Sequence, residues 1–131
     1  MDCKTIKELY NMRPHPEGGW FAELWQSSQI LAGKSLCSQI YYLLEAPETC
    51  QWHRLTSEEL WLFHHGAPLT LYLGGNGPRP REESAVTLGE NLFHCLVPAG
   101  QWQKAVTQGE FTLVSCVVTP AYQRGDWEML V

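Results

Sequence analysis

The chain has 131 residues, of which 44% are hydrophobic and 18% charged, and its formal net charge is -5. This composition excludes a disordered chain and is typical of one independently folding domain, which we predict to span residues 1–131. The nine lysine and arginine residues form no cluster, so the sequence predicts no nucleic-acid partner.

The N-terminal segment is predicted to hold a short helix. Apolar residues follow helical spacing between Thr5 and Asn11, and the Arg13-Pro14 pair ends this helix. The segment His15–Gly19 is rich in glycine and proline and is interpreted as a turn. The N-terminus lacks the apolar core of a secretory signal, and no apolar run reaches membrane-spanning length. We therefore predict a cytoplasmic location and no membrane partner.

Strand patterns punctuated by glycine and proline occupy most of the remaining chain. The predicted strands are Trp20–Gln26, Leu36–Leu44, Thr49–Leu55, Leu60–His65, Leu69–Leu73, Phe93–Val97, Gln103–Val106 and Phe111–Thr119. The segment from Pro120 to Val131 is predicted to be irregular. Short strands at close intervals, with no helical pattern after Asn11, predict an all-β sandwich or barrel.

A histidine and a glutamate beside a predicted turn are the first candidate catalytic residues. Residues 51–66 are interpreted as two antiparallel strands joined at Thr56-Ser57, so that alternation places His53, Glu59 and Trp61 on one face. An imidazole can transfer a proton near neutral pH or bind a metal, and a carboxylate can do either. The pattern therefore predicts a pocket for one of these two kinds of chemistry.

The spacing around this pair resembles the first cupin motif. That motif has two histidines one residue apart, a glutamate four residues later and a glycine seven residues further on. His53, Leu55, Glu59 and Gly66 occupy these four places. The spacing of the motif is therefore present, but leucine stands in the place of the second histidine.

A second segment resembles the second cupin motif, Pro-x-Gly-x-x-His, with Gln103 at the histidine place of residues 98–103. Together with HPEGG, IYYLL and WHRL, these motifs make the chain resemble an RmlC-like cupin family of unknown function, the Cupin_5 or DUF985 type. The resemblance covers roughly residues 5–128. It implies a cupin jelly-roll (double-stranded β-helix) barrel with a short N-terminal helix, and a homodimer, but no particular reaction.

The resemblance also implies a degenerate metal site. A divalent metal would be bound by His53, Glu59 and Gln103, because Leu55 has no donor atom and Gln103 offers only a neutral oxygen. We therefore assign no cofactor, keep a divalent metal as the alternative, and favour a small organic ligand as the partner of this pocket.

The favoured function is acid–base chemistry on that ligand. His53 would transfer the proton and Glu59 would orient it, and the predicted ligand-binding residues are Glu23, Trp61, Gln103 and Tyr122. By analogy with sugar-nucleotide epimerases of the same superfamily, this predicts an isomerase or epimerase of sugars or sugar nucleotides. The alternatives are a non-catalytic sensor or storage protein and a metal-dependent cupin enzyme.

Overall fold

The computed structural model describes residues 1–129, apart from the side chain at position 124. The elements, in chain order, are α1 (Cys3–Leu9), β1 (Arg13–Pro14), β2 (Trp20–Gln26), β3 (Ile30–Leu31), β4 (Lys34–Ser35), β5 (Ser38–Glu45), β6 (Thr49–Leu55), β7 (Glu58–Gly66), β8 (Leu69–Leu73), β9 (Ser84–Leu88), β10 (His94–Val97), β11 (Gln103–Thr107), β12 (Phe111–Thr119), a 3-10 turn (Arg124–Asp126) and β13 (Trp127–Met129). No helix within residues 1–129 is long and apolar enough to cross a lipid bilayer.

The strands form two antiparallel sheets. One has six strands in the order β1-β2-β5-β12-β7-β10, and the other has five in the order β13-β6-β11-β8-β9. The short strands β3 and β4 pair as a separate hairpin. The predictions of an all-β architecture and of a short N-terminal helix are therefore confirmed.

Alternation along β5 shows why both faces of the six-stranded sheet are covered at its centre. Tyr42 and Leu44 belong to the main core, to which both sheets contribute. Leu43, between them, points to the other face and packs with Ile6 of α1. Ile6 is 1% exposed, and burying a side chain of that size stabilises the fold by about 1.5–3 kcal/mol. The helix thus covers the outside of the sheet and leaves the inside for the core and the candidate site.

The connection between β6 and β7 differs from the prediction. We expected these strands to form an antiparallel pair joined at Thr56-Ser57, but β6 pairs with β11 and β13, whereas β7 pairs with β12 and β10. The chain therefore crosses from one sheet to the other at Thr56-Ser57. Alternation in the sequence indicates which face a side chain occupies, but not which strand lies alongside. As a result, His53 and Glu59 approach each other from opposite sheets.

The other differences are in short elements. The predicted bounds of β2, β6, β8 and β12 agree with the structure, while β1, β3, β4, β9 and β13 were not predicted. The expectation of an irregular tail is wrong for β13, whose three residues pair with the edge of β6 and are too few to show a strand pattern. The helix begins earlier than predicted because the Asp2 side chain accepts a hydrogen bond from the backbone N–H of Thr5 at 2.8 Å, which caps its first turn.

Candidate functional site

A cavity of about 460 Å³ opens at one end of the space between the two sheets. Its deep end is lined by buried side chains that include His53, Glu17 and Glu59. Its mouth includes Trp25 and Tyr122, which are 50% and 45% exposed. Ligand pockets in proteins have volumes of about 300–1,000 Å³, so this cavity is large enough for a small organic molecule.

His53 lies on β6 with its ring held in one orientation. The side chain is 2% exposed, and Nδ1 is 2.8 Å from the carbonyl oxygen of Gln51. Because a carbonyl only accepts hydrogen bonds, Nδ1 carries a proton. The other ring nitrogen, Nε2, lies 3.4 Å from Oε2 of Glu17 and 3.9 Å from Oε1 of Glu59. The imidazole therefore presents its second nitrogen to two carboxylates.

Glu17 is the site residue that sequence reasoning missed. It belongs to the turn between β1 and β2, where the backbone N–H of His15 donates to the carbonyl of Gly19 at 2.8 Å. The carbonyl of Glu17 accepts the backbone N–H of Gln51 at 2.8 Å, and its Oε2 accepts the indole N–H of Trp127. These contacts direct a 7% exposed carboxylate into the cavity. The available signal was an acidic residue inside an otherwise glycine- and proline-rich turn.

Two successive buried hydrogen bonds hold the Glu59 carboxylate in place. The amide nitrogen of Gln103 donates to Oε1 of Glu59 at 2.7 Å, and the indole of Trp61 donates to the amide oxygen of Gln103 at 2.7 Å. Gln103 and Trp61 are each 1% exposed. In the cupin frame Gln103 replaces a histidine, and here its amide links a tryptophan to a carboxylate.

Replacing Gln103 with leucine is expected to lower the free energy of unfolding by about 2–5 kcal/mol, because Trp61 and Glu59 would each lose a buried partner. Urea denaturation measures this change. The matched control is Gln108→Leu, whose exposed amide donates to Thr70 at 2.9 Å and whose loss should cost less than about 0.5 kcal/mol. Adding Trp61→Phe to the Gln103 variant should recover part of the loss. If Gln103→Leu were as stable as the control, the chain of hydrogen bonds would not stabilise the fold.

Charge–charge contacts keep a proton at the deep end of the cavity. Burial alone would lower the pKa of His53, but the neighbouring Glu17 carboxylate, Cys50 and the nearby Glu59 together raise it well above its usual value. For the Glu17 carboxyl, burial raises the pKa, and the positive charge of His53 opposes this increase. At neutral pH, His53 is thus an imidazolium whose Nε2 faces Glu17 and Glu59.

The pKa of His15 is shifted in the opposite direction from that of His53. Nδ1 of His15 accepts the backbone N–H of Glu17 at 3.1 Å, so that nitrogen carries no proton. Burial, with repulsion from His53, lowers the pKa of His15 to about 4. The 3.5 Å separation between Nδ1 and Oε1 of Glu17 is therefore not an ion pair at neutral pH.

This lowered pKa makes stability depend on acidity. Between pH 6.5 and about pH 4 the unfolded chain binds a proton at His15 that the folded protein does not, so stability falls as the pH falls through this window. The free energy of unfolding is lower by about 3 kcal/mol at the acidic end of this pH window. We expect His15→Asn, which keeps an acceptor for the Glu17 N–H, to show a smaller loss in urea denaturation between pH 7 and pH 4. Identical pH profiles would contradict this assignment.

The four predicted ligand-binding residues fall into two groups. Glu23 and Tyr122 line the large cavity near its mouth, where the Glu23 side chain is 75% exposed. Trp61 and Gln103 lie behind Glu59, and Trp61 lines a smaller inner cavity of about 30 Å³. The binding roles of all four stay predictions, and in this structure Gln103 and Trp61 act on Glu59.

The side chains around the inner cavity include a set that could hold a metal ion. Ligand atoms of Glu17, Cys50 and His53 all lie within 4.8 Å of one another, and all three residues are buried. A carboxylate, a thiolate and an imidazole are ligands that zinc binds. His53 would have to use Nε2, because Nδ1 donates to Gln51. This set differs from the predicted one, since the amide of Gln103 is held between Trp61 and Glu59.

Comparison with known families agrees with this fold and motif frame. The profile of a family described as cupin superfamily (DUF985) matches residues 4–130. The chain belongs to this cupin family. The resemblance stated from the two motifs is thus confirmed. No curated protein sequence matches this cupin.

Solved structures confirm the jelly-roll topology of this cupin. It is similar to a protein of Shewanella oneidensis, with a TM-score of 0.90 and 28% identity over 99% of this chain and 85% of that one. It is also similar to a hypothetical protein from Leishmania major, with a TM-score of 0.86 and 25% identity over 100% and 88% of the two chains. A mutant of Bacillus subtilis oxalate decarboxylase, with a TM-score of 0.68 and 12% identity over 89% and 29%, shares the fold alone.

Proposed function

We propose that this cupin binds a small polar organic molecule in its large cavity and catalyses proton transfer on it, as an isomerase or epimerase of sugars or sugar nucleotides. The observation that carries the proposal is His53, buried at the deep end of a ligand-sized cavity with Nε2 facing two carboxylates. The analogy with epimerases of the same fold supports the substrate class.

The side chains at the deep end can serve as an acid and a base. Isomerisation at a carbon next to a carbonyl needs a base to remove the carbon-bound proton and an acid to protonate the carbonyl oxygen. The imidazolium of His53 would donate from Nε2, and the carboxylate of Glu59, oriented by Gln103, would take the proton from carbon. The protonated Glu59 would then give its proton to the neighbouring carbon, and His53 would recover a proton from the hydroxyl on the carbon that lost its hydrogen. Both groups return to their starting state, so no oxidant or other reactant is consumed.

Proton exchange with solvent tests this proposal directly. The purified full-length protein would be incubated in D₂O with separate aldoses, ketoses and sugar nucleotides that carry a keto group, and NMR would record deuterium at the carbon next to the carbonyl. Incorporation above the buffer rate is the expected result for at least one compound. Saturable binding of a compound without exchange of any would support the non-catalytic sensor or storage function instead.

A metal-dependent enzyme is the second candidate, and the grouping of Glu17, Cys50 and His53 favours it. A metal held there would act as a Lewis acid that polarises a substrate oxygen. Elemental analysis of the purified protein is the test. About one zinc, iron, manganese or nickel ion per chain, lost in Cys50→Ser, would support this function over the first.

The homodimer and the cytoplasmic location remain proposals that rest on the family resemblance and on the sequence. Light scattering at micromolar protein concentration tests the first of these, because a monomer mass would contradict it. Fluorescence microscopy of a tagged chain tests the second.

A further inference from the structure

The two buried carboxylates at the deep end of the cavity have too little positive charge to balance them. Glu17 and Glu59 are each 7% exposed. Within residues 1–129, the only ion-pair partner of Glu59 is His53. The histidines that contact the Glu17 carboxylate are His53 and the uncharged His15. His53 supplies at most one positive charge. At least one negative charge is therefore unbalanced where the two carboxylates are ionised, and burial makes such a charge costly.

The cavity wall does not provide the missing charge. No lysine or arginine is found among the described residues that line it. A third carboxylate, Glu23, lies at the mouth, and its partner Arg13 is 3.6 Å away with both side chains more than half exposed. Such an exposed pair contributes little. Apart from His53, the side chains that could bring charge to the described cavity lining are therefore acidic, from the mouth to the deep end.

Aromatic side chains line the same cavity as these acidic groups. Phe21, Trp25, Tyr122 and Trp127 all line the cavity. The face of an aromatic ring attracts a cation within about 6 Å, by about 0.5–2 kcal/mol. Carboxylates at the deep end and rings on the wall together favour a ligand that is both organic and positively charged.

We infer that the ligand carries a protonated amine, which binds against Glu17 and Glu59 while its carbon skeleton lies among the aromatic rings. This inference rests on the proposed ligand-binding function and narrows its substrate class. An amino sugar or amino alcohol satisfies the charge balance. A sugar nucleotide does not, because its phosphates would enter a negative cavity whose described lining has no lysine or arginine.

A set of three sugars of similar size and different charge tests the inference. Calorimetric titration of the full-length protein at pH 6.5, with a chelator present, would compare glucosamine, glucose and gluconate. We expect glucosamine to bind at least tenfold more tightly than glucose, and gluconate to bind most weakly. In Glu17→Gln this preference should fall to within about threefold. Glu90→Gln changes the net charge equally at an exposed position and should keep the wild-type preference.

Three other outcomes would contradict recognition of an amine, and each can be distinguished from a failure of the proposed ligand-binding function. If glucose binds as tightly as glucosamine, the amine is not recognised, but a ligand-binding cavity remains. If gluconate binds most tightly, the sign of the cavity potential is wrong. If Zn²⁺ binds the protein in the absence of chelator and none of the three sugars binds with chelator present, the missing charge is that of a metal ion. Each of these results would overturn the inference, while the exchange experiment in D₂O tests catalysis independently.

Discussion

Replacing His53 with glutamine is expected to lower the rate of proton exchange about 10²–10⁴-fold, the usual contribution of a positioned acid or base. Glutamine places an amide near the position of Nε2 in histidine, but this amide cannot release a proton near neutral pH. Ligand affinity should stay within a few-fold, since the cavity wall and both carboxylates remain. NMR in D₂O gives the rate, and calorimetry gives the affinity.

The matched control for this variant is His65→Gln. His65 is exposed, and its Nε2 contacts the backbone carbonyl of Met1 far from the cavity lining. The His65→Gln variant should catalyse proton exchange between substrate and solvent at the wild-type rate. If His53→Gln retained full exchange, His53 would not be the acid, and the proton would have to come from another group at the deep end. If the variant instead lost ligand binding with no separate effect on rate, His53 would be a binding residue.

Replacing Gly18 with alanine is expected to lower the free energy of unfolding by about 3–5 kcal/mol. Gly18 has a φ of +104°, and an added Cβ would lie 2.1 Å from the carbonyl oxygen of Thr49. The contacting atom belongs to the backbone of β6 and cannot rotate away. The turn would have to move, and with it the adjacent Glu17, so ligand affinity should also fall. Urea denaturation and calorimetry measure the two effects.

Gly33→Ala separates the steric contact from the cost of backbone conformation. Gly33 also has a positive φ, +81°, but no atom lies within 4 Å of the position where its Cβ would be. Alanine there should cost only about 1–2 kcal/mol, the penalty of the left-handed region. Equal losses in the two variants would mean that the approach of Gly18 to Thr49 does not restrict the turn.

The residues with a local pattern were predictable from the sequence. Strands such as β2 and β12 show alternation, and His53 and Glu59 belong to a motif with fixed spacing. Glu17 has no such relation to His53, because its position comes from the turn before β2 and from a hydrogen bond with Gln51 on a distant strand. Periodicity along one segment cannot reveal a contact between two segments.

The same limit explains the role of Gln103 and the crossing between β6 and β7. The motif frame identified Gln103 as a degenerate ligand, but only the fold shows that its amide joins Trp61 to Glu59. The alternation of β6 and β7 correctly placed His53 and Glu59 in the interior. It could not indicate that they approach from opposite sheets, because the face of a strand and the identity of its neighbour are independent.

The hydrogen bond from the indole of Trp127 to Glu17 joins residues that are 110 positions apart in the chain. Contacts between such distant segments form slowly, because a long loop must close before they are made. Trp127 also needs the edge of β6, with which β13 pairs. The cavity is therefore complete only when the last strand has docked onto the barrel. A chain in which β13 is not docked would keep most of its β-structure and lack the Trp127 contact that holds Glu17 in the cavity.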